Sequence, residues 1–333
     1  MEENKIVDRV PSALEASSDP ETLRLAYLSL LKLGLTDLLG VRTQTIHWNE
    51  KGNLFLRHLK DEEIRFRVNG IDWPAHGMTM VGLERLDDLQ SCVETVIRDG
   101  VEGDLIEAGT WRGGASILMR ATLNSLGATD RTVWLADSFN GFPIPDREAY
   151  PEDSAIDFSD RDFIAVPIEE VKGNLEKYGC GDGVEFVPGF FEDTMPAMSA
   201  GLWSVVRLDG DSYESTMLTL SKLYPGLSKG GFLIVDDYGA LPECRRAVTE
   251  YREANNITAP LDTIDWTGVK WRKETEAEPL KGEAPVPSRR GEKADRWVVR
   301  QGGHRIPTMR ERMLQEEIEQ LKAQLEQVEA NAK

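Results

Sequence analysis

Short apolar runs alternate with longer amphipathic stretches through the middle of the chain. GDLIEAG (103–109), RTVWLADS (131–138), GVEFVPGFF (183–191), LWSVVRLDG (202–210) and GGFLIVDDY (230–238) are bounded by Gly or Asp, and each reads as a buried strand. ASILMRATLNSLG, IEEVKGNLEKYG and TMLTLSKLYPGL lie between them and are long enough for crossover helices. The pattern predicts a doubly wound α/β fold around a mostly parallel sheet. ITAPLDTID and GVKWRK are expected to finish that sheet near Lys273. Upstream, Asp19 and Pro20 open a stretch in which Leu23, Tyr27, Leu30 and Leu31 recur at helical spacing, an amphipathic helix with one face to bury. The segment EEIRFRVNGIDWPAHGMTMVGLERLDDLQ becomes helical from about Val81, and its first half reads as an edge or lid.

Past Lys273 the pattern breaks. ETEAEPLKGEAPVPSRRGEKAD has scarcely a large apolar residue, too little to offset the entropy of ordering, and reads as a linker. From about Met309 the apolar positions return as Leu314, Ile318, Leu321, Leu325 and Val328, the stripe of a short coiled coil or a docked helix. The expected organisation is a helical or lid segment over 1–69, the main domain over 70–273, a linker over 274–307 and a heptad helix over 308–333.

Charge and cysteine content narrow the partners. The 333 residues carry 58 acidic against 39 basic side chains, net −19, a surface that repels nucleic acid and anionic lipid. The N-terminus is polar, and no run reaches the roughly 18 apolar residues of a membrane span. A soluble, cytoplasmic protein is expected. Cys92, Cys180 and Cys244 make no CxxC pair, which fits a reducing compartment and offers neither a zinc site nor a disulfide framework. His47, His58, His76 and His304 show no metal-binding spacing, and no GxSxG elbow occurs; His76, in WPAHG, is the one histidine near a candidate lid.

Open α/β sheets bind ligands outside the carboxyl ends of their strands, and there the chain gathers its glycines and acids. After the first strand, Gly109, Gly113 and Gly114 form a GxxxGG spacing that departs from the dinucleotide fingerprint and lacks the Lys-Ser/Thr of a phosphate loop. Glu107, at the same strand end, would repel phosphate and suits an ammonium or a sulfonium. Asp137 closes the second strand, placed for ribose hydroxyls or for capping its own turn. Phe190 and Phe191 follow the third strand, for stacking on adenine or for the core. The fourth and fifth strands end in Asp209 and in Asp236 and Asp237. If those strands are neighbours, three carboxylates converge and require a counter-charge, and an all-oxygen set suits a hard divalent ion such as Mg²⁺. Asp211 then stands as general base toward an acceptor hydroxyl.

Together, DLIEAGTWRGGASILMRA, WLADSFNGFP, FFEDTMP, RLDGDSYESTMLTLSKLYPGLSKGGFLIVDDYGALPECRRAV and WTGVKWRK resemble the macrocin O-methyltransferase family over about residues 70–273. The resemblance implies a class I methyltransferase sheet of seven strands with the last antiparallel, S-adenosylmethionine as cofactor, a need for Mg²⁺, and methylation of sugar hydroxyls on natural products or surface glycans. It implies Asp209, Asp236 and Asp237 as metal ligands, with Asp209 beside the base Asp211 at the reacting centre. Glu107, Gly109, Trp111, Gly113 and Ser116 match the motif around the methionine part of the cofactor, Asp137 and Ser138 match the ribose site, and Thr79 and Met80 fall in the segment that covers the cofactor. Asp88 departs from the pattern, which usually has Asn there. The expected partners are a glycosylated small molecule and further copies of the chain, as a homodimer or higher homo-oligomer. Two alternatives are an NAD-dependent nucleotide-sugar oxidoreductase or epimerase, against which GxxxGG argues, and a non-catalytic assembly factor that uses the C-terminal heptads.

Overall fold

In the computed structural model, which describes residues 19–280 apart from 41, 49–53, 156 and 160, Asp19 caps the first helix, α1 (Pro20–Leu35). Its carboxylate accepts the Thr22 amide at 3.0 Å. Leu28, Leu31 and Leu35 are buried, while Leu23, Tyr27 and Leu30 face out. A hairpin follows where only a helical or lid segment is expected: β1 (Gln44–Trp48) pairs antiparallel with β2 (Leu54–His58). Buried Arg67, on the short α2 (Ile64–Val68), ties the hairpin down. Its guanidinium donates to the carbonyls of Thr36 and Gln44, to the Thr43 hydroxyl and to the Asp72 carboxylate. Helix α3 (Leu83–Arg98) then leads into the sheet.

The expected strands form as β3 (Asp104–Ala108), β4 (Val133–Asp137), β5 (Val184–Pro188), β6 (Trp203–Leu208) and β7 (Leu227–Val235). They are followed by a short β8 (Asp262–Thr263) and by β9 (Val269–Arg272). The sheet order is β5-β4-β3-β6-β7-β9-β8, parallel except that β9 runs against both of its neighbours. The crossovers are α4 (Gly114–Ser125), α5 (Ile168–Lys177), α6 (Phe191–Met198), α7 (Tyr213–Leu223) and α8 (Pro242–Ala254). One core layer gathers α1, α3, α4 and α5, and the other α6, α7 and α8. Doubly wound parallel strands are buried on both faces, and β6 is buried at every position. The three cysteines are buried and unpaired. No helix among the described residues is long and apolar enough to cross a membrane. The heptad segment 308–333 and most of the expected linker lie outside the described residues.

Candidate active site

Parallel pairing brings three strand ends level. Ala108 lies beside Leu208 and Leu208 beside Val235. The ladder continues one step further, with the Asp209 amide donating to the Ala108 carbonyl at 2.8 Å and the Asp236 amide to the Leu208 carbonyl at 2.9 Å. The acids that follow therefore converge: one carboxylate oxygen from each of Asp209, Asp236 and Asp237 lies within 4.8 Å of the others. Gly109, at φ 91°, permits this approach, because a Cβ there would stand 1.8 Å from the Asp209 carbonyl oxygen. The Asp237 Oδ2 is buried without a hydrogen-bond partner. Hard oxygen donors and an orphaned buried carboxylate atom are what a divalent cation requires, so these residues fit the expected metal.

Two arginines hold the acids in place, and neither stands out in the sequence. Arg207, inside β6, donates from Nη1 to Glu107 at 2.7 Å and to Asp209 at 2.8 Å, and from Nη2 to Asp236. Arg85, on α3, donates to the other Asp236 oxygen and, from Nε, to Asp265 at 2.9 Å. Five carboxyl groups, of Glu107, Asp209, Asp236, Asp237 and Asp265, thus surround two guanidinium groups, and Asp211 adds a sixth acid beside Asp209 and Asp236. Burial, reinforced by the neighbouring acids, pushes the carboxyls of Asp209, Asp211 and Asp237 above the ordinary range.

Burial also raises Glu107 to about 7, against the downward pull of Arg207 and of the Ser116 hydroxyl that donates to it. A folded-state value above the ordinary 4.5 means that this group's contribution to stability is fully present below pH 4.5 and is lost as pH rises through 7. Glu107→Gln should therefore flatten the pH dependence of urea unfolding between those values, by on the order of 3 kcal/mol. An unchanged slope would contradict this.

A cleft of about 1030 Å³, including its open mouth, lies outside the strand ends. Met80, Gly109, Trp111, Asp137, Ser138 and Phe191 line it, and so do Asp209 and Asp211. Thr79, Glu107, Gly113 and Ser116 stand behind that wall. The Thr79 hydroxyl accepts the Val81 amide at 3.1 Å, and Glu107 and Ser116 bond to each other at 1% and 0% exposure. Gly113 caps α4 and faces Val171. Asp137 does what its turn-capping alternative expects while still bordering the cleft. Its Oδ2 accepts the amides of Thr110 at 2.8 Å and Trp111 at 3.2 Å, and its Oδ1 the Phe139 amide at 2.8 Å. Trp111, Phe139 and Asp211 adopt left-handed φ of 47°, 51° and 60° on three of these strand-end loops, at a cost of roughly 1–2 kcal/mol each.

Away from the cleft, His76 bonds through Nε2 to the Gln44 side chain on β1. Asp88 pairs with Lys270 of β9 and so joins α3 to the sheet. A further wall of the cleft is built by Phe142, Pro143, Pro145, Asp153, Phe158 and Ile164, which follow β4 in the chain. Phe163 packs against Trp73 and Trp48, with ring centroids 4.7 and 5.9 Å away, and its carbonyl accepts Trp111 Nε1 at 3.0 Å.

The strand order and the single reversed strand, β9, define a class I methyltransferase fold. The profile of the Macrocin-O-methyltransferase (TylF) family matches residues 35–273, and the chain belongs to that family of O-methyltransferases. The match begins at residue 35, ahead of the motifs that carry the resemblance, and so takes in the hairpin. A Streptomyces olivaceus protein named 8-demethyl-8-(2,3-dimethoxy-alpha-L-rhamnosyl)-tetracenomycin-C 4'-O-methyltransferase is 46% identical over 256 residues, 76% of this chain and 94% of that one. The demethyldecarbamoylnovobiocin O-methyltransferase of Streptomyces niveus is 47% identical over 64% of this chain and 81% of its own length. The solved structure of the O-methyltransferase NovP superposes with a TM-score of 0.68 at 41% identity, covering 76% of this chain and all of that one.

Proposed function

We propose that the enzyme transfers the methyl group of S-adenosylmethionine to a sugar hydroxyl of a glycosylated natural product and that it requires Mg²⁺. The observation that carries the reading is the Asp209–Asp236–Asp237 cluster with its orphaned Asp237 oxygen: Asp209 lines the cleft together with Asp211, and Asp236 and Asp237 are buried next to Asp209 without lining it. The relative from Streptomyces olivaceus is named for a rhamnosyl-bearing acceptor, which supports the sugar as the methylated part. Met80, Trp111, Asp137 and Ser138 would bind the cofactor along one wall. Phe191 would wall the adenine of the cofactor, and residues 142–155 with Phe158 and Ile164 would form the acceptor side. The ion, held by Asp209, Asp236 and Asp237, would lower the pKa of the acceptor hydroxyl. Asp211 is placed to take the hydroxyl proton, and the surrounding wall would exclude water and fix the attacking oxygen.

Buried, unpaired cysteines suit a reducing compartment, and we place the enzyme in the cytoplasm. We also expect it to self-associate. Membership of a methyltransferase family disfavours the nicotinamide alternative. The test is incubation with methyl-labelled S-adenosylmethionine and a panel of glycosylated metabolites, with and without excess chelator. Label should appear on a sugar oxygen and vanish with chelator. Full transfer in chelator would remove the metal from this reading, and label on a non-sugar atom would remove the sugar.

A further inference from the structure

We propose that Asp153 is a positioning residue for the transfer: it fastens the segment over the cleft to the turn that carries Asp209 and Asp211. This rests on reading the cleft as the acceptor site. Asp153 lies in a 3-10 turn, Pro151–Ala155, and is only 2% exposed. Its carboxylate reaches out of its own segment, Oδ1 accepting the Tyr213 amide at 2.6 Å and Oδ2 the Glu214 amide at 3.0 Å. These are the first two amides of α7, which the helix itself leaves unpaired. The hydroxyl of the helix's own cap, Ser212, accepts the Ser215 amide at 3.0 Å and reaches neither of these two. A carboxylate is favoured at this end of a helix by the aligned peptide dipoles.

The turn leading into α7 leaves the sheet ladder after Asp209, whose amide donates to the Ala108 carbonyl at 2.8 Å. It runs Asp209, Gly210, Asp211 and Ser212, with Asp211 left-handed and the Ser212 amide donating to the Gly210 carbonyl at 2.6 Å. The first coil of α7 fixes its downstream end, and Asp153 holds that coil. Glu152 pairs with Arg246 at 3.2 Å beside it, and Tyr150 lies over Tyr213 with ring centroids 6.5 Å apart. Further along the chain, Phe163 anchors the same wall against Trp48 and Trp73. An acceptor that fits beneath residues 142–155 leaves Asp153 in place and the acid turn ordered. An acceptor that displaces the segment withdraws the carboxylate and leaves two amides unpaired. The fit of the acceptor is thereby read out as order in the turn that bears a metal ligand and the base.

The test compares Asp153→Ala and Asp153→Asn with a control, Asp146→Ala, whose carboxylate accepts only the exposed Ala149 amide of the same segment. Four quantities are measured: tryptic cleavage at Arg147, amide exchange at Tyr213 and Glu214, Mn²⁺ affinity, and S-adenosylhomocysteine affinity. For Asp153→Ala, cleavage and exchange should rise about tenfold and Mn²⁺ binding weaken about tenfold. S-adenosylhomocysteine affinity should stay within about twofold. Asp153→Asn keeps one acceptor oxygen and should fall between wild type and Ala; it carries the test if the alanine variant does not fold. A residue that merely supports the fold would lower both affinities together. Wild-type exchange at Tyr213 and Glu214 in Asp153→Ala, or faster exchange with unchanged Mn²⁺ affinity, would overturn the assignment. If the unmutated enzyme takes up no Mn²⁺, the metal reading fails, and Asp153 is then judged on cleavage and exchange alone.

Discussion

Asp237→Asn should abolish metal-dependent turnover while leaving the fold intact. Both oxygens of Asp236 are engaged by arginines, and one of Asp209's accepts from Arg207, whereas Asp237 Oδ2 is buried with no partner. Asp237 is therefore the acid whose position the protein's own contacts explain least and a cation explains best. Burial, with Asp211, Asp209 and Asp236 close by, raises its carboxyl well above the ordinary range, and the amide is close to isosteric with that carboxyl. Mg²⁺ affinity should fall about a hundredfold or more, and turnover by on the order of a thousandfold. In chelator the variant should melt no lower than wild type, since the amide matches the carboxyl in shape and can never add a charge beside the neighbouring acids. S-adenosylhomocysteine should bind unchanged. Calorimetric titration with Mg²⁺ and thermal unfolding in chelator check this. A variant with wild-type Mg²⁺ affinity would show that Asp237 is not a ligand.

The sequence made the sheet and the acids visible for the same reason. Parallel strands buried on both faces are written as apolar runs, and the residues just past them must lie on one edge, so Asp209, Asp236 and Asp237 could be placed together once β6 and β7 were taken as neighbours. What holds them was hidden. Arg207 is one charge inside the run WSVVRL, and its sequence position says nothing of a contact with Glu107 exactly one hundred residues away. Arg85 reads as an ordinary polar position of an amphipathic helix. Glu107 and Ser116 match motif positions, yet they face each other behind the cleft wall, a direction fixed by packing of α4 on β3. Asp153 sits in a long acidic loop with Asp146, Glu148, Glu152 and Asp157, and nothing in the sequence singles it out to cap α7. The hairpin escaped because Leu54, Phe55 and Leu56 are all exposed, so β2 shows no alternation of buried and exposed positions.

Arg207→Met should be the most destabilising of the substitutions considered. The guanidinium is 2% exposed and serves Glu107, Asp209 and Asp236 at once. Removing it leaves Glu107 with the Ser116 hydroxyl alone and Asp236 with Arg85 alone, inside a cluster already rich in negative charge. Breaking a buried pair from one side costs about 3–5 kcal/mol, because the remaining charge is left uncompensated. For a chain of this size that lowers the melting temperature by roughly 10 °C. Removing the opposite charge as well should recover part of the loss, so Arg207→Met with Glu107→Gln should be more stable than Arg207→Met alone, with a coupling of about 1–3 kcal/mol in the double-mutant cycle. Recovery should be incomplete, since Asp209 and Asp236 still lack the guanidinium. Lysine at 207 keeps the charge but not the fork that reaches three partners, and should fall between wild type and methionine. The cycle is read by urea unfolding at neutral pH in chelator, which keeps metal binding out of the comparison. If Arg207→Met unfolds with wild-type stability, or if Glu107→Gln brings no recovery, then Arg207 is not the counter-charge that lets these acids be buried together.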